Sequence, residues 1–76
     1  MTTHLIIGFE SDIAVCGMHG RRHTYPQRHQ FIPCDASQIR SSEYVHRNVN
    51  CPTCHRFIEE IRLGSTVEWA MREALR

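Results

Sequence analysis

The sequence predicts a small α+β domain, and three features of the chain predict it. Apolar residues alternate near the N-terminus, as they do in half-buried strands. The step from Cys51 to Cys54, a Cys-x-x-Cys, opens a segment with helical periodicity, and a second capped segment ends the chain. We expect a β-hairpin over residues 4–17 packed on a helix over about residues 52–63, with a second helix over 66–76.

The length and composition limit the classes of protein that fit. Its 76 residues allow one domain, and domains of this size often need metal ions or disulfides because their cores are small. With 41% hydrophobic and 22% charged residues, the composition is that of a globular chain. Neither a membrane span nor a signal peptide is recognisable. We therefore expect a cytoplasmic protein whose four cysteines are metal ligands or free thiols.

Two runs of alternating apolar residues predict the hairpin. The first contains Leu5 and Ile7, and the second contains Ile13 and Val15. A turn midway between the runs pairs Ile7 with Ile13 and Leu5 with Val15. The apolar pattern thus predicts a register without reference to any possible ligand.

The same register places His4 opposite Cys16, on the other face of the ladder. Cβ atoms of paired residues lie about 4.5–5.5 Å apart. This separation lets an imidazole and a thiolate bind one zinc ion through bonds of about 2.0–2.3 Å. Gly17 follows Cys16, where the backbone must turn close to a metal-bound sulfur.

Residues 18–29 contain Gly and Pro without hydrophobic periodicity, which predicts a long exposed loop. The loop has no acidic residue. Its side chains could contact the phosphates of a nucleic acid or an acidic protein surface, and the candidates are Arg21, Arg22, Tyr25 and Arg28. Because the net charge is only +1, general adhesion to nucleic acid is not expected.

The middle of the chain carries weaker signals. Residues 30–33 form a short run that Pro33 stops, which predicts a short strand. Asp35 could cap a single helical turn. Residues 43–49 alternate, which predicts a strand that leads into Cys51.

Two helices are predicted after Cys51. Pro52 at the first helical position and Gly64 as the stop define the first, and a capping box that starts at Ser65 opens the second. Trp69 and Arg72 fall on the arc of the second helix opposite its apolar arc. An exposed Trp beside Arg is typical of an interface anchor, whereas a Trp under the loop would belong to a satellite core.

Cys51 and Cys54 are the strongest ligand candidates, because this spacing lets two thiolates bind one metal ion. Their place at a helix N-terminus predicts lowered thiol pKa values. Cys16 is the third candidate. The hairpin register favours His4 as the fourth, and His19, two residues beyond Cys16-Gly17, is the alternative. Zinc is the expected metal for thiolates with an imidazole.

The sequence also contains weaker alternatives to this ligand set. Cys34 and His46 are weaker candidates for the fourth ligand, and a lone Cys after a short strand is more often a buried hydrophobic residue. His29 is expected to lie in the loop, and His55 on an exposed face of the first C-terminal helix. A redox pair at the Cys-x-x-Cys step is the alternative to a metal, although no βαβ unit of thioredoxin type surrounds it.

Three short motifs also give the chain a resemblance. They are His4-Leu5, Ala14-x-Cys16-Gly17 and Val49-x-Cys51-x-x-Cys54. Together they resemble a pattern in many short, mostly uncharacterised actinobacterial and phage proteins. The resemblance implies metal binding through the set that contains His4, and a host cytoplasm if the chain is phage-encoded. The longer loop and the added C-terminal helix depart from the pattern.

A metal with four protein ligands has no open position, so metal catalysis is not expected. The sequence also lacks the usual hydrolase and phosphate-binding motifs, and we predict that the chain is not an enzyme. Two functions fit. The favoured one is a zinc-binding protein-interaction module, an adaptor or an inhibitor that acts on a host protein, using Trp69, Arg72 and the loop. The alternative is a zinc-finger-like nucleic-acid-binding regulator that uses the loop.

Overall fold

A computed structural model of the protein describes residues 1–8, 11–19 and 29–76. In these ranges it has a two-stranded sheet and four helices, which confirms the predicted α+β class. The strands are β1 (Thr2–Ile7) and β2 (His29–Cys34). The helices are α1 (Ala36–Ile39), α2 (Glu43–Asn48), α3 (Pro52–Arg62) and α4 (Val67–Ala74).

The sheet pairs β1 with β2 in parallel. It does not consist of the two strands of the predicted hairpin. Thr2 lies opposite His29 and Ile7 lies opposite Cys34, so β2 pairs with β1 along its full length. His29 therefore belongs to a strand and not to the predicted loop, of which residues 20–28 lie outside the described ranges. The short strand predicted near Pro33 exists, but a local pattern does not show which strand it pairs with, because parallel pairing requires a long crossover.

The segment after β1 folds back in the predicted register without forming a full strand. Ile6 makes an isolated antiparallel bridge with Ala14, and the Val15 amide donates to the Leu5 carbonyl at 2.9 Å. The predicted second strand is wrong, because the chain turns directly after Ala14. There the amide of Gly17 donates to the Ala14 carbonyl at 2.8 Å, with a positive φ of 93° that favours glycine.

Residues 43–48 form helix α2, so the strand predicted here is also wrong. Ser42 caps the helix, and its hydroxyl accepts a hydrogen bond from the Val45 amide at 3.3 Å. Val45 and Val49 are both buried. A spacing of four residues fits one face of a strand and one face of a helix equally well. The alternation was therefore compatible with a strand as well as with the helix that forms.

The two C-terminal helices occupy the predicted part of the chain. α3 begins at Pro52 and ends at Arg62. α4 is capped by Thr66 and not by Ser65, since the Thr66 hydroxyl accepts from the Trp69 amide at 3.1 Å. The Ser65 hydroxyl instead donates to a carboxylate oxygen of α3.

The core lies where β1 and the helices meet around α3. Its largest fully buried side chains are Phe57, Leu5, Ile39, Ile58, Val49 and Cys54. Cys54 thus contributes to the core as well as to the site described below. None of the helices in the described ranges is both long enough and apolar enough to cross a membrane.

Candidate metal centre

The four residues predicted as ligands converge where β1 meets α3. His4, Cys16, Cys51 and Cys54, here called the four-ligand group, each offer one nitrogen or sulfur atom, and these atoms all lie within 4.8 Å of one another. On a tetrahedral zinc ion such atoms would lie about 3.5–3.8 Å apart. The four-ligand group could therefore hold a metal ion after small adjustments.

Backbone hydrogen bonds attach the start of α3 to β1 beside His4. The Thr3 carbonyl accepts from the Cys51 amide at 3.1 Å and from the Asn50 amide at 3.2 Å. The Asn50 side chain completes this link, because its oxygen accepts from the Thr3 amide at 2.7 Å. The link positions Cys51 next to the strand residue that carries the imidazole. Asn50 was not recognised from the sequence, since its role depends on tertiary contacts.

The turn after β1 supplies the remaining thiol. The Cys16 Sγ lies 3.3 Å from the His4 Nδ1, close to the separation of about 3.5 Å expected for a nitrogen and a sulfur on one zinc ion. The neighbouring bond from the Val15 amide to the Leu5 carbonyl holds the turn against β1. The hairpin register predicted this pairing correctly, although the hairpin itself is incomplete.

His29 contacts the other nitrogen of the His4 ring. The His4 Nε2 and the His29 Nδ1 are 2.9 Å apart. When the His4 Nε2 donates this hydrogen bond, its Nδ1 keeps a lone pair directed toward Cys16, which is the tautomer that a metal ligand needs. Burial first, and the charge of His29 second, lower the pKa of His4 and so favour the neutral ring.

The ring of His4 also stacks on Phe31, with ring centroids 5.1 Å apart. His29 and Phe31 both belong to β2, so the parallel strand restrains this ring from two sides. The sequence pattern predicts a loop at His29, and no local signal indicates its role beside His4. The contact follows only from the pairing of β1 with β2.

Burial raises the pKa of the Cys54 thiol to about 12. Hydrogen bonds with the backbone of Leu5 and Cys16 act in the opposite direction but do not outweigh it. The net pKa of Cys54 is thus raised and not lowered as predicted from its place at the helix N-terminus, because desolvation is the larger effect. A divalent cation that binds here has to displace the proton of Cys54.

The other candidate ligands lie elsewhere. His19 is exposed and forms an antiparallel bridge with Ile13. Cys34 is buried among apolar side chains, as expected for a small hydrophobic residue, and its thiol donates to the Asp35 carbonyl at 3.6 Å. His46 lies on α2 and contacts α3. All four cysteines are free thiols.

The predicted partner-binding residues divide into two sets. On α4, Trp69 is 50% exposed and Arg72 is exposed, so Trp69 is not a satellite core residue. The loop residues Arg21, Arg22, Tyr25 and Arg28 lie outside the described ranges.

Comparison of the chain with family models, with curated proteins and with solved structures finds no significant match. The resemblance to short actinobacterial and phage proteins therefore stays a prediction that rests on motifs. A functional interpretation has to come from the chemistry of the groups described above.

Proposed function

We propose that the chain is a zinc-binding domain in which the four-ligand group holds one structural Zn²⁺ ion. The convergence of the four ligand atoms within 4.8 Å carries this proposal. Three thiolates with one imidazole are a common ligand set of structural zinc sites, and zinc suits both kinds of ligand. His4, Cys51 and Cys54 are buried, so bulk water has little access to the bonds.

The ion would join three segments that are distant in sequence. His4 lies in β1, Cys16 in the following turn, and the remaining two thiols at the start of α3. Zinc binding to small domains supplies about 10–16 kcal/mol, which compares with a total stability of about 5–15 kcal/mol for typical domains. Zinc would therefore decide whether this domain folds. Four protein ligands leave no position for a substrate, so we propose no catalysis at this ion.

Metal analysis of ligand variants tests the zinc proposal. Wild-type protein should retain one tightly bound zinc ion through purification, and His4→Ala should lose it. His19→Ala is the matched control, because it removes an exposed imidazole from the neighbouring segment, and it should retain the ion. Tight zinc in His4→Ala together with its loss in His19→Ala would assign the fourth ligand to the other histidine and contradict the proposal.

We further propose that the zinc-stabilised domain is a protein-interaction module, an adaptor or an inhibitor. Support comes from the exposure of Trp69 and Arg72 on α4, since Trp and Arg are enriched among residues that dominate binding energy. Val67 on the same helix and Leu75 directly after it add exposed apolar surface. Action on a host protein, as for a phage-encoded inhibitor, is the biological setting that the motif resemblance suggests.

The chain contains one Trp, so the fluorescence of Trp69 tests this second proposal. A partner protein that covers α4 should shift the emission to shorter wavelength and protect the ring from iodide quenching. Trp69→Ala and Arg72→Ala should keep the circular dichroism spectrum and lose the partner. Retention on DNA that falls steeply with salt and survives Trp69→Ala would instead favour nucleic-acid binding.

A further inference from the structure

A second set of metal-binding side chains lies on the surface where α2 meets α3. His46 comes from α2, and His55 and Glu59 lie one turn apart on α3. One ligand atom from each lies within 4.8 Å of the others. We infer that these three residues, here called the α2–α3 cluster, form a second site for Zn²⁺ that is separate from the four-ligand group.

The distances within the α2–α3 cluster suit a metal ion. The Glu59 Oε1 lies 2.9 Å from the His46 Nε2 and 3.7 Å from the His55 Nε2. Tetrahedral zinc with bonds of about 2.0–2.1 Å places its ligand atoms about 3.3–3.4 Å apart. The two observed distances lie on either side of that value. Small rotations of the side chains would therefore suffice to bind the ion.

The cluster is also oriented away from the first site. Cys54 and His55 are neighbours in sequence, but successive residues of a helix point about 100° apart. The Cys54 side chain is fully buried, whereas the side chains of His46, His55 and Glu59 are 31%, 38% and 42% exposed. An ion could thus reach the cluster from solvent without disturbing the core.

The charge of Glu59 favours a cation. The hydrogen bond with His46 is the main cause that lowers the pKa of Glu59, and the charges of His46, His55 and Arg62 add to it. Arg62 is one nearby cation that would oppose a metal ion, and His46 and His55 have to be neutral to bind it. The guanidinium of Arg62 lies 3.0 Å from a carboxylate oxygen of Glu43, which offsets part of that positive charge.

Two imidazoles and one carboxylate are a ligand set that zinc uses where it keeps an open coordination position. Three protein ligands leave at least one position for water or for a donor atom of another molecule. The α2–α3 cluster therefore differs from the four-ligand group in its chemistry: it has no thiolate, is partly exposed and stays open. An ordinary surface network of His and Glu would show the same contacts but would not take up metal in a saturable way.

Zinc titration of protein whose first site is already loaded tests this inference. The histidine ring signals are followed by NMR while ZnCl₂ is added. The signals of His46 and His55 should shift together and stop shifting after one further equivalent, for a total of two zinc ions per chain.

Variants assign the second ion to the cluster. Replacing His46 and His55 by Ala together should lower the bound zinc from two ions to one. The thiolate-to-cobalt charge-transfer band of the Co²⁺ form should be unchanged, because that band reports the four-ligand group alone. Glu59→Gln should weaken the second ion, whereas Glu68→Gln, the same change at an exposed carboxylate on α4, should not.

Two results would overturn the inference. One is ring signals that shift without saturation, and the other is a second zinc ion that remains in the double variant. If the double variant fails to fold, the NMR titration of the wild-type chain and the Glu59→Gln comparison give the answer. Since the cobalt band reports the first site, failure of the second site is distinguishable from failure of the zinc domain itself.

Discussion

His29→Ala is expected to weaken zinc binding although His29 is not a proposed ligand. The substitution removes the Nδ1 atom that lies 2.9 Å from the His4 Nε2, and with it the group that orients the ligand ring. Partners of this kind contribute about 10–100-fold in metal affinity. That range corresponds to about 1.4–2.8 kcal/mol at 1.4 kcal/mol per tenfold change. The remaining contact with Phe31 should keep the ring in the site and prevent a larger loss.

Competition against a chromophoric zinc chelator measures the affinity, and circular dichroism checks the fold. His29→Asn should restore most of the affinity, because the Asn oxygen can take the place of the Nδ1 acceptor. Gln30→Ala, at the adjacent exposed position of β2, is the control and should bind zinc as wild type does. Equal affinities of wild type and His29→Ala would refute the reasoning, and so would a His29→Asn variant as weak as His29→Ala.

Three further predictions concern the metal and the core. Removal of zinc by EDTA should abolish the native far-UV circular dichroism, and a native spectrum in the metal-free protein would contradict the structural role of the ion. Zinc uptake at pH 7 should release the proton of Cys54, whose pKa is about 12 in the fold and about 8.5 in an unfolded chain. The apparent affinity for zinc should therefore rise at least about tenfold per pH unit between about pH 6 and pH 8. Calorimetry in buffers of different ionisation enthalpy should detect the released proton. An affinity that does not change with pH would count against thiolate ligation. Phe57→Ala should lower the free energy of unfolding of the zinc form by about 3–5 kcal/mol in chemical denaturation, because the ring is fully buried. Leu63→Ala is the control, and since this side chain is 77% exposed, it should change the free energy of unfolding by less than about 0.5 kcal/mol.

Sequence patterns were informative where local periodicity determines geometry. The alternation around Leu5 and Val15 predicted the register that brings His4 to Cys16, because a period of two decides which residues share a face. The register survives in the structure although, in the described residues, a single antiparallel bridge, from Ile6 to Ala14, links the two runs. The place of Pro52 at the first helical position likewise located α3.

Tertiary pairing explains what the sequence could not predict. β1 and its parallel partner β2 are joined by a crossover, so the sequence pattern of neither strand indicates the contact of His29 with His4. The α2–α3 cluster was missed for another reason. The spacing of Val45 and Val49 fits both a strand and a helix, so the sequence did not predict helix α2, from which His46 approaches Glu59.

Zinc-edge X-ray absorption tests the central claim most directly. Wild-type protein that carries one equivalent of zinc should show three sulfur ligands at about 2.3 Å and one nitrogen ligand at about 2.0–2.1 Å. Four sulfur ligands would require Cys34, which lies outside the four-ligand group, and would contradict the account. A shell of nitrogen and oxygen atoms without sulfur would contradict it as well, because the tightly bound ion would then lie away from Cys16, Cys51 and Cys54.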